Sequence, residues 1–197
     1  MVPPRTLPPG LTGIAGPIKE THSGGVEDWL EFDTVKYYTN AFIVEDSRIL
    51  LGYKKRGFGQ DMYNGFGGKL EPGETAAQAA VRELEAREEA GIVAPLKKCG
   101  VLYFTSENKD HAFYIDVFIA KEYTGNISET DEMRPKWFAT TAESESADQP
   151  PIPYSLMWEE DIYWIPLLLA DKSFVGRADF GADGNMRKWW FAETQFD

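Results

Sequence analysis

Residues 57–74, GFGQDMYNGFGGKLEPGE, hold six glycines and one proline and run directly into TAAQAAVRELEAREEAG, which is Ala, Leu, Glu, Gln and Arg almost throughout. The first stretch reads as a loop that bends sharply or comes close to something. The second reads as a helix, with Glu74 and Thr75 at its start and Gly91 as its stop. A glycine-rich loop opening a helix is also how proteins cradle nucleotide phosphates. Two common forms fail here. A Walker loop needs glycine where Tyr63 stands and Ser or Thr where Leu70 stands, and the dinucleotide fingerprint breaks at Lys69-Leu70.

Around this pair the chain is mostly strand-like. KYYTNAFIVED and RILLGYKK, separated by Asp46-Ser47, predict a hairpin from their aromatic and β-branched residues. CGVLYFTSE and AFYIDVFIAKEY predict strands joined at ENKDH, PKWFAT a shorter one, and SFVGRADF with NMRKWWFAET a closing hairpin around GADG. Residues 141–153 read as a loop. SLMWEEDIYWIPLLLAD reads as a helix in which Pro166 lies in the first turn or marks a break. Strands before and after an isolated helix point to an α/β protein with a mixed sheet, not a regularly alternating parallel one.

With 197 residues, 43% of them hydrophobic and 26% charged, the chain has material for one core without metals or staples. Five prolines in the first 17 residues predict an extended, poorly ordered tail over 1–33, with Trp29 and Leu30 able to pack on a domain spanning 34–197. The net charge of −12 repels a bare polyanion, so neither a nucleic-acid polymer nor an anionic membrane is an expected partner. No apolar run approaches the roughly 20 residues of a membrane span, and no export signal stands at the start, so a reducing, cytoplasmic setting is expected. Cys99 is the single cysteine and His22 and His111 the only histidines, which leaves no Cys/His zinc cluster. Both histidines sit among polar or glycine-rich residues and are expected to be solvated. Acid–base chemistry then falls to carboxylates, lysines or a metal-bound water.

Glu71, Glu74, Glu83, Glu85, Glu88 and Glu89 crowd the loop and helix. Glu85, Glu88 and Glu89 stand at i, i+3 and i+4, where three like charges repel. This is either a solvated helix face or a site for a hard divalent cation, which takes oxygen ligands and bridges carboxylates to phosphates. The order of residues adds to this: Gly68, five residues, Glu74, seven residues, Arg82-Glu83-Leu84, then Glu88-Glu89-Ala90-Gly91-Ile92 resembles the Nudix box. LLGYKKRGFG, YNGFGGK, DEMRPKWF and MWEEDIYWIPLLL extend the resemblance over about residues 36–194, toward Nudix hydrolases that act on oxidised purine nucleoside triphosphates.

The resemblance implies a Nudix-type α/β/α sandwich with a mixed sheet and a catalytic loop-helix-loop. It implies Mg²⁺ or Mn²⁺ held by Glu83, Glu88, Glu89, Glu132 and the carbonyl of Gly67 or Gly68, with the four glutamates as the catalytic set. Asn64, Glu160 and Asp161 would hydrogen-bond the purine edge, Trp158 and Phe58 would flank the ring, and Tyr38, Thr39, Lys54, Phe104 and Trp164 would line the pocket. The implied activity is metal-dependent hydrolysis of an oxidised purine (deoxy)nucleoside triphosphate such as 8-oxo-dGTP to the monophosphate and pyrophosphate, by a monomer that cleans the nucleotide pool. The alternatives are a Nudix hydrolase of another nucleotide, such as a methylated purine nucleotide or ADP-ribose, and a degenerate domain that binds nucleotide or a protein without hydrolysis.

Two positions depart from the family. Where it has two adjacent aspartates, this chain has Glu160 and Asp161. Ala86 and Arg87 occupy the places of the paired glutamates, so Glu88-Glu89 come two residues late, and two residues turn a straight helix by about 200°. An apolar face of Ala77, Ala80, Val81 and Leu84 would then take in Glu88. A bulge, looped turn or early helix end between Leu84 and Glu88 is therefore expected, returning Glu88 and Glu89 to the side of Glu83; the alternative is a shifted set of Glu85, Glu88 and Glu89.

Overall fold

The computed structural model describes residues 7–86 and 90–196. In chain order its described strands are β1 (Lys19–Gly24), β2 (Val35–Glu45), β3 (Arg48–Lys54), β4 (Tyr63–Asn64), β5 (Ile92–Val93), β6 (Lys97–Ser106), β7 (Ala112–Ala120), β8 (Thr124–Gly125), β9 (Met133–Ala139), β10 (Ser173–Phe180) and β11 (Met186–Thr194). Helix α1 (Ala76–Glu85) follows β4 and helix α2 (Asp161–Leu169) precedes β10. The chain divides into two compact units, one of residues 1–37, 99–115 and 162–197, the other of 38–98 and 116–161.

In the first unit β1, β11, β10 and β6 lie side by side, with β10 parallel to β6 and the other pairs antiparallel. The sheet is therefore mixed, as expected. Val101, Tyr103, Val175, Trp190 and Ala192 form its core together with Leu11. Residues 7–33 thus differ from the predicted tail. Leu11 is buried, β1 pairs along β11 from Lys19↔Glu193 to Gly24↔Trp189, and Leu7, Ile14, Ile18, Trp29 and Phe32 pack on the same cluster. The prolines lie outside β1, so the segment can still complete a ladder on the edge of β11.

A buried ion pair holds this segment down. Arg177 and Asp179 are each 1% exposed and bonded through Nε–Oδ1 at 2.9 Å and Nη2–Oδ2 at 3.0 Å. Arg177 also donates to the carbonyls of Pro9, at 2.5 Å, and Leu30, while Leu30 N–H donates to Asp179 at 2.6 Å. The guanidinium lies 4.6 Å from the Trp29 ring centroid and 5.1 Å from that of Tyr103. Trp29 and Leu30 therefore do pack on the domain.

Two further expectations change in this unit. His111 is buried beside Phe113, its Nδ1 2.6 Å from Asp110, whereas His22 is exposed as expected and leans on Tyr163. Pro166 lies inside α2, beyond the first turn and without breaking it. Both Pro166 and Ile162, whose carbonyl Pro166 cannot bond, are exposed, so water can satisfy that carbonyl. Helix α2 is shorter than predicted, because Tyr154–Leu156 forms a separate 3₁₀ turn. No described helix is long and apolar enough to cross a membrane.

The second unit is built on β3, which pairs along its length with β9, with β2 at Arg48–Leu50 and with β4 at Gly52 and Tyr53. The predicted β2–β3 hairpin forms, with Asp46 in the left-handed region at φ 45°. Ile43, Leu50, Phe66, Leu84, Ile92 and Met133 form its core, and β5 pairs with β8 beside it.

Removing one member of the buried Arg177–Asp179 pair strands a charge. Arg177→Ala and Asp179→Asn should each lower unfolding free energy by about 3–5 kcal/mol in urea titrations, and limited proteolysis should then cut first within 7–34. An Arg177→Ala protein as stable as wild type would refute the clamp.

Candidate active site

The glycine-rich loop is held as an irregular strand on β2. Phe66 and Ala41 exchange backbone bonds of 2.9 and 2.7 Å, and Thr39 N–H donates to the Gly68 carbonyl at 2.9 Å. Lys54 N–H to the Met62 carbonyl and Asp61 N–H to the Lys54 carbonyl, both 2.9 Å, close the preceding turn. At Gly68 the missing Cβ matters, since one built there would lie 2.5 Å from Glu83 Oε1. The Glu83 carboxylate therefore rests on the loop backbone.

Helix α1 begins with a capping box, Thr75 Oγ1 accepting from Gln78 N–H at 3.3 Å and Gln78 Oε1 accepting from Thr75 N–H at 2.9 Å. Its buried residues are Ala79, Ala80 and Leu84, not the predicted Ala77 and Val81, which are exposed. The small side chains Ala76 and Ala80 pack with Ala41 and Phe118, which turns the inward face toward Glu83. Glu85 points away and is exposed. The helix leaves its course at Ala86, whose N–H is shared between the carbonyls of Arg82 and Glu83 at 2.9 and 3.2 Å, and Gly91 N–H then bonds the Ala86 carbonyl at 3.2 Å. The early helix end is thus observed, earlier than the predicted stop at Gly91. Glu88 and Glu89 lie outside the described residues.

Arg82 organises the carboxylates. It donates to both oxygens of Glu74, at 2.8 and 2.9 Å, to Glu83 Oε1 at 2.5 Å and to the Lys69 carbonyl at 3.2 Å. The Arg82 hydrogen bonds hold Glu74 down at about 2, while the two glutamates push the Arg82 pKa further up. Glu83 Oε2 and the Gly67 carbonyl accept no hydrogen bond among the described residues, whereas the Gly68 carbonyl already serves Thr39. A carboxylate oxygen and a backbone carbonyl are hard oxygen donors that suit Mg²⁺ or Mn²⁺. Among the described residues, no three acidic, His or Cys side chains converge.

Glu132 and Lys54, expected in different roles, are paired with each other at 2.5 Å, and Arg56 meets the other Glu132 oxygen at 3.3 Å. The Lys54 bond foremost holds the Glu132 carboxyl below the usual range. Thr130 Oγ1 fixes this turn by accepting from the N–H groups of Glu132 and Met133.

Glu160 and Asp161 are 3% and 2% exposed. Asp161 accepts from Trp158 N–H at 3.1 Å, while Glu160 Oε2 has no partner among the described residues. Burial, then the Asp161 charge, pushes the Glu160 carboxyl well up, which favours its neutral form. Tyr154, missed by sequence reasoning, stands with this pair: burial and Asp161 push its phenol up to about 12. Asn64 Oδ1 accepts from Gly65 N–H and from Asn40 Nδ2, each at 2.8 Å.

Phe58 and Trp158 do not flank a slot. Their rings stack directly, centroids 5.2 Å apart and planes 24° apart, and a third ring between them would need about 7 Å. The loop carrying Phe58 folds down on Trp158. Tyr38 and Thr39 alternate across β2, so only Tyr38 shares the face of Asn40. The Thr39 hydroxyl is buried without a partner among the described residues. Phe104 and Trp164 belong to the other unit, where Phe104 meets Phe180 edge-on at 6.1 Å and the buried Trp164 stacks on Phe174 at 5.3 Å.

Residues 37–172 match the model of the NUDIX domain, and the chain belongs to that family. It is 44% identical over 148 residues to the oxidized purine nucleoside triphosphate hydrolase of Danio rerio, covering 75% of this chain and 88% of the relative. Identity to the Mus musculus protein of the same name is 40%, with the same coverage. A crystal structure of a mutator MutT protein from Bacillus halodurans superposes with a TM-score of 0.63 at 22% identity, over 79% of this chain and 97% of that one, which shows the shared Nudix fold.

Two measurements check the charges. In a ¹³C-carboxyl NMR titration Glu74 should titrate near 2, and Arg82→Ala should return it toward 4.5; a Glu74 midpoint near 4.5 in wild type would refute the tether. Because Glu160 has a raised folded pKa, it contributes full stability below its unfolded pKa and loses it as pH rises. Glu160→Gln should therefore gain stability relative to wild type as pH is raised above the ordinary carboxylate range in urea titrations. A pH-independent difference would sink the neutral-acid assignment.

Proposed function

We propose that this chain is a cytoplasmic, monomeric Nudix hydrolase that cleaves oxidised purine (deoxy)nucleoside triphosphates such as 8-oxo-dGTP to the monophosphate and pyrophosphate, with Mg²⁺ or Mn²⁺. The observation that carries this is the buried Glu160–Asp161 pair. The buried Glu160 Oε2 has no partner among the described residues and its carboxyl is pushed toward the neutral form, and Asp161 accepts from the Trp158 backbone. A carboxyl in its neutral form can donate and an ionised one can accept, and such a polar pair beside aromatic side chains suits a purine base. Asn64 adds an N–H donor on the loop, and Tyr38 an aromatic side chain. Names of the vertebrate relatives support the oxidised purine as the base.

The chemistry belongs to the loop and helix. A bound divalent ion neutralises charge on the triphosphate and lowers the pKa of water. Glu83 and the Gly67 carbonyl would hold it, with Glu88, Glu89, Glu132 and the Gly68 carbonyl as further candidates. Arg82 keeps Glu83 against the loop backbone, so that carboxylate keeps its orientation while the triphosphate is bound. Water attacks phosphorus, the bond to the pyrophosphate oxygen breaks, and a glutamate of this set accepts the water proton.

A hydrolysis screen over oxidised, methylated and unmodified nucleotides, with and without Mg²⁺, tests the reading. Release of pyrophosphate from 8-oxo-dGTP should need the metal and exceed that from dGTP. Glu83→Gln should lower turnover at least about a hundredfold, since even indirect metal partners are worth 10–100-fold, and Glu85→Gln should leave it nearly intact. The reverse pattern would move the site to the shifted register; no turnover by folded protein would favour a domain that only binds.

A further inference from the structure

An asparagine that reads a base presents either an acceptor or a donor, two ends of nearly equal shape, and only its surroundings decide which. At Asn64 they decide fully. Gly65 N–H, which can only donate, meets Asn64 Oδ1 at 2.8 Å, so that atom is the oxygen. The Asn40 side chain meets the same oxygen at 2.8 Å and must therefore present Nδ2. A single backbone N–H thus fixes the polarity of both amides.

Asn40 is itself held in place. Its neighbour Ala41 is locked to Phe66 by the reciprocal backbone bonds, and its own oxygen lies over the next glycine: a Cβ at Gly65 would stand 2.3 Å from Asn40 Oδ1 and 2.6 Å from Phe42 Cζ. Glycine at 65 is what lets the two asparagines meet. Rotating the Asn64 amide would set its NH₂ against two donors, Gly65 N–H and Asn40 Nδ2. The Asn64 NH₂ is therefore the end left for a ligand.

We propose that Asn40 is a specificity-determining positioning residue: as a second donor to the Asn64 oxygen beside Gly65 N–H, it reinforces the orientation in which Asn64 donates, so the pocket selects purines that turn an acceptor atom, not an amino group, toward Asn64. The inference rests on the function proposed above. Asn40→Leu removes one of the two donors, and Asn40→Asp replaces that donor with an acceptor that attracts the Asn64 NH₂ against the hold of Gly65 N–H.

The test measures kcat and KM, together with calorimetric binding of the matching monophosphates, for wild type, Asn40→Leu and Asn40→Asp over oxo- and amino-purine nucleotides. KM for the preferred oxidised purine should rise about three- to tenfold in Asn40→Leu, the scale of one hydrogen bond, with kcat within about twofold. In Asn40→Asp the rise should be larger and the ranking should shift toward amino-purines. Equal KM changes across all bases, or a loss in kcat alone, would overturn the positioning role while leaving the proposed activity standing. If wild type neither binds nor cleaves any purine nucleotide, the proposed function falls and this inference with it. Should Asn40→Asp fail to fold, the base ranking in Asn40→Leu decides by the same criterion.

Discussion

Three backbone hydrogen bonds, two between Phe66 and Ala41 and one from Thr39 to Gly68, tie the glycine-rich loop to β2, and the second unit's chemistry depends on them. A segment with six glycines in eighteen residues has a large backbone entropy to lose. Without the ladder it would not hold one shape. With it, Asn64 is presented at one end and the Gly67–Gly68 backbone at the other. Glu83 can settle on that backbone only because position 68 lacks a Cβ, so the loop and helix α1 fix each other.

Charge inside this unit is managed by local pairing, which net charge does not reveal. A chain of −12 carries Lys54, Lys55 and Arg56 in a row where β3 ends, and each is engaged by an acid of the 129–132 turn. The Lys55–Glu129 and Arg56–Glu132 pairs, each with an exposed partner, add little stability in water. Their effect is geometric, because they hold the turn carrying Glu132 to the strand carrying Lys54, whose register opposite Met133 already brings the two ends together.

Much of this was legible in the sequence, and the failures have physical causes. The β2–β3 and β10–β11 hairpins followed from pattern and turn residues, which act locally. The early end of α1 followed from helical arithmetic on Ala86 and Arg87. Its buried face did not, since tertiary packing of Ala76 and Ala80 beneath Ala41 and Phe118 outweighs the hydrophobicity of Val81. Arg82 was visible as one of two arginines amid six glutamates, yet its bond to Glu74, eight residues back, needs the loop's fold. Tyr154 carried no signal in its own neighbourhood. The stacking of Phe58 on Trp158 joins residues 100 apart and depends on how the 57–62 turn closes.

The N-terminal segment shows the same limit of composition at larger scale. The family match begins at residue 37, yet folded structure begins well before it. Prolines predict poor helices and poor central strands, but they say nothing against an edge strand flanked by packed loops, and β1 is such a strand. What holds the segment is a buried charge, Arg177, that needs carbonyl oxygens. Asp179 neutralises it, but a guanidinium has five N–H groups, and two of its remaining bonds go to the Pro9 and Leu30 carbonyls. Taking the segment away would leave those N–H groups, and the faces of Trp190 and Tyr103, to find other cover. The segment is therefore part of the first unit's core, although its sequence resembles a linker.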